Sequence, residues 1–377
     1  SKARELVLFS GDATSIKTVN TLEGVVFENL GAINKQGDYV IISNPALYDL
    51  SGSNPVEAYR AYRDIDDNII NGRFQAVTVN VEALYDQFSY GVRKSPLALR
   101  NFIQWANATW SNKPKYVFLA GKAIEAPALK RASGSQFNLD LVPTFGYPGS
   151  DNLLAASRAS DSMVVAIGRL AAQNPQQVQD YLTKMTEYED KQIVYHPGVN
   201  PVKPSEWEWQ KKVLHFGGGT GSTEQVIFRS YLERYADTVQ AKNWGAYVEA
   251  FYKETNAPID QSKAAIIKGE INEGVSLITF FGHSATSAFD FSIDEPENYT
   301  NFGKYPVIIS NGCFAGLIHS NNVGFSERFV FPSDKGAIAF MATTSLSISI
   351  NLDHFTSFVN SQLSQNNYNK SFGDCVR

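Results

Sequence analysis

The chain has only two cysteines, Cys313 and Cys375, in 377 residues. That scarcity excludes a disulfide-built scaffold, and with no CxxC or Cys/His spacing it also excludes a cysteine-ligated zinc site. No uninterrupted apolar run approaches the roughly 18 residues that a membrane-spanning helix needs. Lys and Arg form no stripe, and the net charge is -5. Nucleic acid, whose phosphates demand clustered cations, is therefore not an expected partner. There is no long run of one charge and no repeat at a solenoid period. The opening "SKARELVLFSG" lacks a charged head followed by an apolar stretch, so no signal peptide is expected within it.

What remains is 43% apolar and 19% charged, the balance of a globular chain with a real core. The length admits two or three units of about 100–200 residues. Residues 1–37 carry short alternating stretches, "ELVLFS" and "GVVFENL", that predict β-strands and a β-rich lead-in, the edge of a preceding domain. From Asp38 the pattern becomes strand, helix, strand: "DYVIIS", "VEAYRAYRDIDDNI", "FQAVTVNV", "PLALRNFIQWAN", "KYVFLAG", "MVVAIGRL" and the Asn-Pro-opened helix "NPQQVQDYLTKMTEYEDK". Apolar strands alternating with helices predict mostly parallel sheets with helices on both faces. The Pro-bearing "VYHPGVNPVKPSEWEW" separates an N-terminal α/β subdomain, 38–205, from a second, 206–377. The second repeats the grammar with "KKVLHFGG", "TEQVIFRSYLERY", "GAYVEAFY", "DQSKAAIIKGEINEG", "VSLITFFGH", "YPVIISNGC", "NVGFSERFV" and "GAIAFMATT". The last residues, "NKSFGDCVR", read as the start of a further helix.

Two strands of the second half end in reactive residue types, "VSLITFFGH" on His283 and "YPVIISNGC" on Cys313. Sites in open parallel sheets form at the carboxyl ends of strands, so the two side chains can meet there. An imidazolium stabilises the thiolate that attacks a carbonyl, which makes the pair a nucleophile and its base. Gly312 lets the chain turn and a substrate approach. The backbone N–H of Cys313, with that of Ser284, would form an oxyanion hole. An isolated cysteine is more commonly a small buried hydrophobe; the matching His283 favours the chemical reading.

Three further readings compete. Ser284 in "GHSAT" could be the nucleophile of a serine hydrolase, with His319 or His354 downstream, although Thr286 stands where an elbow needs Gly. His215 is a wall residue or a catalytic base. Asp290, seven residues past His283, orients that ring, reads a basic substrate side chain, or is a solvated carboxylate. "GGGTGS" at 217–222 lacks the Gly-Lys-Ser/Thr ending of a phosphate loop and reads as a site-facing turn. No cofactor is required; Asp151, Asn152 and Asp161 are candidate oxygen ligands for a structural calcium.

The blocks "FFGHSATSAF", "YPVIISNGCFAG", "KGAIAFMATTS", "KYVFLAGKA", "VPTFGYPGSDN", "VVAIGRL" and "LYDQFSYGVRKSPLALRNFIQWA" resemble the gingipain family of cysteine peptidases. Within it they look closest to gingipain-like peptidases and sortases of the type IX secretion system of Bacteroidetes. The resemblance runs from about Asp38 to the end. It implies a caspase-like fold of two side-by-side α/β subdomains, the second catalytic, with Cys313 as nucleophile and His283 as base in peptide acyl transfer.

A hydrolase would resolve the thioester with water and a sortase with an amine. The alternative is a pseudopeptidase that binds polypeptide or a secretion partner. The resemblance also implies an extracellular or outer-surface setting, with polypeptide substrate and secretion-system components as partners. Three departures stand out: Ser284 replaces a Gly, the histidine-orienting carboxylate falls on Phe216, Gly217 and Gly218, and the acidic specificity residue falls near Thr223. Glu224, or a backbone carbonyl, is the candidate replacement for the missing third member.

Overall fold

The computed structural model describes residues 10–12, 14, 21, 24–64, 74–157, 160, 162–192, 207–241, 243–257, 259, 261, 263–293 and 295–377. Apolar strands with no polar alternation must be covered on both faces, and the chain meets that demand with two sheets. The first holds β1 (Tyr39–Ser43), β2 (Ala76–Asn80), β3 (Tyr116–Ala120) and β4 (Ala166–Leu170) in the order β2-β1-β3-β4. The second holds β5 (Lys212–Gly217), β6 (Tyr247–Tyr252), β7 (Leu277–Phe281), β8 (Val307–Asn311) and β9 (Ala339–Ala342) in the order β6-β5-β7-β8-β9. Every pairing in both is parallel. This is the α/β architecture that the strand–helix alternation predicts.

Helices cover the faces where their apolar residues recur at three and four positions. On the helix Ser222–Gln240 the buried residues are Phe228, Leu232, Tyr235 and Val239, one stripe facing the second sheet. The helices Pro55–Arg63 and Pro96–Thr109 each open on a proline, whose missing N–H costs nothing in the first turn. Besides the short helices Ala126–Leu129, Gly134–Asn138 and Asn152–Ala155, two longer ones escape the sequence reading. Val81–Phe88 starts directly off β2, where the Asn80 side chain accepts from the Glu82 N–H at 2.9 Å. Ser349–Ser361 lacks both a strong start signal and a side-chain cap.

The strand predicted over residues 24–30 does not form. Val25, Val26 and Phe27 stand exposed, and the segment pairs with no strand among the described residues. The other lead-in strand, "ELVLFS", lies almost wholly outside the described residues, as does most of the boundary segment 193–206.

The two sheets are tied through buried cations. Lys122, at the end of β3, is fully buried and donates to both Glu327 oxygens at 2.7 and 2.9 Å and to the Asn322 carbonyl at 3.0 Å. Lys184, on the helix Pro175–Lys191, donates to the carbonyls of Phe329, Val330 and Ala337 at 3.2, 2.8 and 3.3 Å. Those first two carbonyls close the helix Phe325–Val330, where a cation is favoured. The Thr344 hydroxyl donates to the Gly149 carbonyl at 2.8 Å, a third link across the interface.

Candidate active site

The strand order of the second sheet decides where a site can form. From β5 the chain steps outward to β6, then crosses to β7 on the other side of β5. That reversal opens a crevice at the carboxyl ends of β5 and β7, the place where ligands settle in such sheets. The turn after β5 is Gly218–Gly221, the turn after β7 carries His283, and the turn after neighbouring β8 carries Cys313. β7 and β8 are in register, with Phe281 opposite Asn311. His283 and Cys313 therefore stand at the same level, each two residues past the last paired position, and the N–H groups of Ser284 and Cys313 lie beyond the final rung.

His283 is half exposed, and its Nε2 lies 3.0 Å from Glu224 Oε2. Glu224 sits in the first turn of the helix Ser222–Gln240, where the helix dipole favours a carboxylate. Its Oε2 also accepts from the Thr220 N–H at 2.9 Å and the Thr220 hydroxyl at 2.6 Å. The Thr220 and His283 hydrogen bonds lower its pKa to about 2. The edge of Phe228 stands against the imidazole, with ring centroids 6.0 Å apart. With Nε2 held by Glu224, Nδ1 is the nitrogen left for proton transfer.

Cys313 is partly exposed. Phe314, the next residue, has φ 60, a left-handed backbone that a bulky side chain rarely adopts and that marks strain at the turn. Thr343 Oγ1 donates to the Gly312 carbonyl at 2.6 Å and the Phe314 N–H to the Ser345 carbonyl at 3.2 Å. The turn is thus anchored to the loop after β9.

Ser284 Oγ donates to the Cys313 carbonyl at 2.7 Å, stitching the histidine turn to the cysteine turn. A serine nucleophile needs its hydroxyl on an imidazole, and that contact is not made here. Gly312 is required for a reason that spacing alone does not give: a Cβ there would lie 2.2 Å from Ser284 Oγ.

Beneath the crevice Asp290 is buried, accepts from the Gly219 N–H at 2.8 Å, and gives its own N–H to the His283 carbonyl at 2.8 Å. Burial pushes its pKa up. Lys253, 2% exposed at the end of β6, places its ammonium 3.5 Å from Asp290 Oδ2. Asp290 is therefore neither a solvated carboxylate nor a ligand of the imidazole; it braces the backbone of the β5 and β7 turns. Sequence reasoning missed Lys253, since "FYKETN" looks like an exposed strand end and only the β5–β6 pairing carries it inward. The same glycine-rich turn explains itself here: a Cβ on Gly218 would lie 2.0 Å from Asp290 Oδ1.

The other predicted residues lie elsewhere. His215 is fully buried on β5, its ring 6.4 Å from Tyr235, and burial lowers its pKa to about 4. It is a wall residue beneath the helix Ser222–Gln240, two positions below the crevice. Asp151 is paired with Arg169, accepting at 2.7 and 2.8 Å, and with Thr144 at 2.9 Å, while His319 Nε2 stands 3.5 Å away. A carboxylate already neutralised by a guanidinium and crowded by donors is a poor calcium ligand. Asp161 lies outside the described residues. Among those described, no group of three or more His, Cys, Asp or Glu side chains could hold a metal ion.

The chain is similar to known proteins over most of its length. The family model described as "Peptidase family C25" matches residues 32–377. The crystal structure of the Arg-specific cysteine proteinase gingipain R superposes with a TM-score of 0.60 at 16% identity, covering 90% of this chain and 70% of that one. The complex of Porphyromonas gingivalis RgpB pro- and mature domains gives 0.59 at 16% identity, over 90% and 72%. The architecture of two mostly parallel, helix-flanked sheets is shared with those structures. No curated protein matches significantly.

Proposed function

The chain belongs to peptidase family C25, and from that premise we propose that it is a cysteine endopeptidase acting through Cys313, His283 and Glu224. The Cys313 thiol gives its proton to His283 Nδ1, and the sulfur attacks the carbonyl carbon of a peptide bond. The oxyanion forms opposite the N–H groups of Cys313 and Ser284, beyond the sheet ladder. As the intermediate collapses, the C–N bond breaks and the imidazolium protonates the departing amine, leaving a thioester on Cys313. Water completes hydrolysis; an amine in its place completes a sortase-type transfer. Glu224 keeps the imidazole oriented and stabilises its charged form.

The observation that carries this reading is the 3.0 Å contact of His283 with Glu224. A carboxylate on the imidazole supports an oriented base and favours the peptidase reading over the pseudopeptidase alternative. No described helix is long and apolar enough to cross a membrane. The proposal includes the extracellular or outer-surface setting and the type IX secretion partners that the family resemblance implies.

A thiol-directed peptide electrophile tests the chemistry. Cys375 is 1% exposed, and burial pushes its pKa up to about 11, so it serves as an internal control. Cys313 should be alkylated far faster, and Cys313→Ala should abolish peptide cleavage. Full cleavage by Cys313→Ala would end the proposal.

A further inference from the structure

The loop after β9 runs along the nucleophile, and its exposed side chains are aliphatic. The Ser347 carbonyl is 4.0 Å from Cys313 Sγ. Its two sequence neighbours, Leu346 and Ile348, are 76% and 65% exposed. On the facing wall, Ile227 is 40% exposed, one helical turn from Glu224. The walls converge one turn further on, where Leu352 packs in the same small cluster as Tyr231 and Phe281. Leu346 and Ile348, on either side of the residue whose carbonyl is nearest Cys313 Sγ, and Ile227 on the helix that carries Glu224 are large aliphatic side chains open to solvent, and such surface is kept where something covers it.

Charge points the same way. A site that reads arginine needs a carboxylate free to meet the guanidinium. Glu224 is already shared between His283 and Thr220, and Asp290 is buried against Lys253 and the Gly219 N–H. Of these two described carboxylates, Glu224 is engaged, and Asp290, although its Oδ1 has no hydrogen-bond partner, is buried with Oδ2 beside the Lys253 ammonium, so neither stands free at the surface for a substrate.

We propose that the residue on the acyl side of the scissile bond is aliphatic, received by Leu346, Ile348 and Ile227, and that arginine is disfavoured there. This rests on the peptidase reading and narrows it to a substrate class, one unlike that named for gingipain R. Pairing an aliphatic side chain with these walls, against leaving a guanidinium without a counter-charge, should give a preference of about tenfold or more.

The test uses matched peptidyl acyloxymethyl ketones that differ only in the residue next to the ketone: Leu, Ala, Arg or Asp. The rate of Cys313 alkylation is read by intact mass and peptide mapping on the full chain. The leucine probe should react at least about ten times faster than the arginine probe. Arginine reacting as fast or faster overturns this proposal and leaves the peptidase reading standing. No probe reaching Cys313 overturns both. Ile348→Asp and Leu346→Asp, both at exposed positions, should each shrink the Leu-to-Arg ratio several-fold; an unchanged ratio in both overturns the assignment of those walls.

Discussion

Glu224 Oε2 meets His283 Nε2 at 3.0 Å across 59 residues of sequence. The carboxylate arrives from the first turn of a helix and the imidazole from the tip of β7, so neither position alone reveals the pair.

Glu224→Gln removes the charge that stabilises the imidazolium and keeps the shape. The expected result is a fall in kcat of about ten- to a hundredfold with little change in KM. Because Glu224 ionises at about 2, it stays charged above that pH. No inflection of the activity profile near the ordinary glutamate value of about 4.3 should therefore arise from it. An inflection there that vanishes in Glu224→Gln would contradict the pairing.

Lys253 and Asp290 form a buried pair, and removing one partner strands the other. Lys253→Met or Asp290→Asn alone should destabilise by about 3–5 kcal/mol, whereas the double variant should recover most of the loss. Urea unfolding curves of the three variants measure this; additive losses in the double variant would show that the two groups are not coupled.

The glycines of the β5 turn separate by position. Gly218→Ala would put a Cβ 2.0 Å from Asp290 Oδ1, while Gly221, at φ -149, has nothing within 4 Å of its added Cβ. Gly218→Ala should lower stability by about 2–3 kcal/mol and reduce cleavage, and Gly221→Ala should change stability by less than about 0.5 kcal/mol. Thermal melts and peptide turnover on both variants compare them directly.

His215 links stability to pH. Its folded pKa is lowered from 6.5 to about 4 by burial, so between those values the unfolded chain binds the proton and the folded chain does not. Stability therefore falls as pH drops through this window, by about 3 kcal/mol at most, and is fully present above it. The slope should shrink in His215→Leu, with peptide cleavage retained; a catalytic His215 would instead take cleavage away.

Much of the second sheet could be read directly. The runs behind β7 and β8 are apolar without alternation, and His283 and Cys313 fall immediately past them, so strand type, parallel pairing and the two reactive side chains follow from local pattern. The lead-in misled because "GVVFENL" has strand composition, yet strand formation needs a partner edge. The helix Ser349–Ser361 was missed because it carries no strong start signal and no side-chain cap; its Asp353 is held by Arg234 and Tyr235 from a distant helix at 2.6 and 2.8 Å. The partner of Asp151 could not be read from the sequence, because Arg169 meets it from β4, 18 residues away.

The order of residues alone determined the α/β grammar, the two strand ends that carry the imidazole and the thiol, and the small residues around them, since each follows from periodicity over a few neighbours. Only the tertiary structure decided which carboxylate meets His283, why Gly218 and Gly312 cannot bear a side chain, and that Lys253 lies beneath the crevice. Those contacts join segments far apart in the chain, and their distances are set by sheet order and helix packing, which no local pattern encodes.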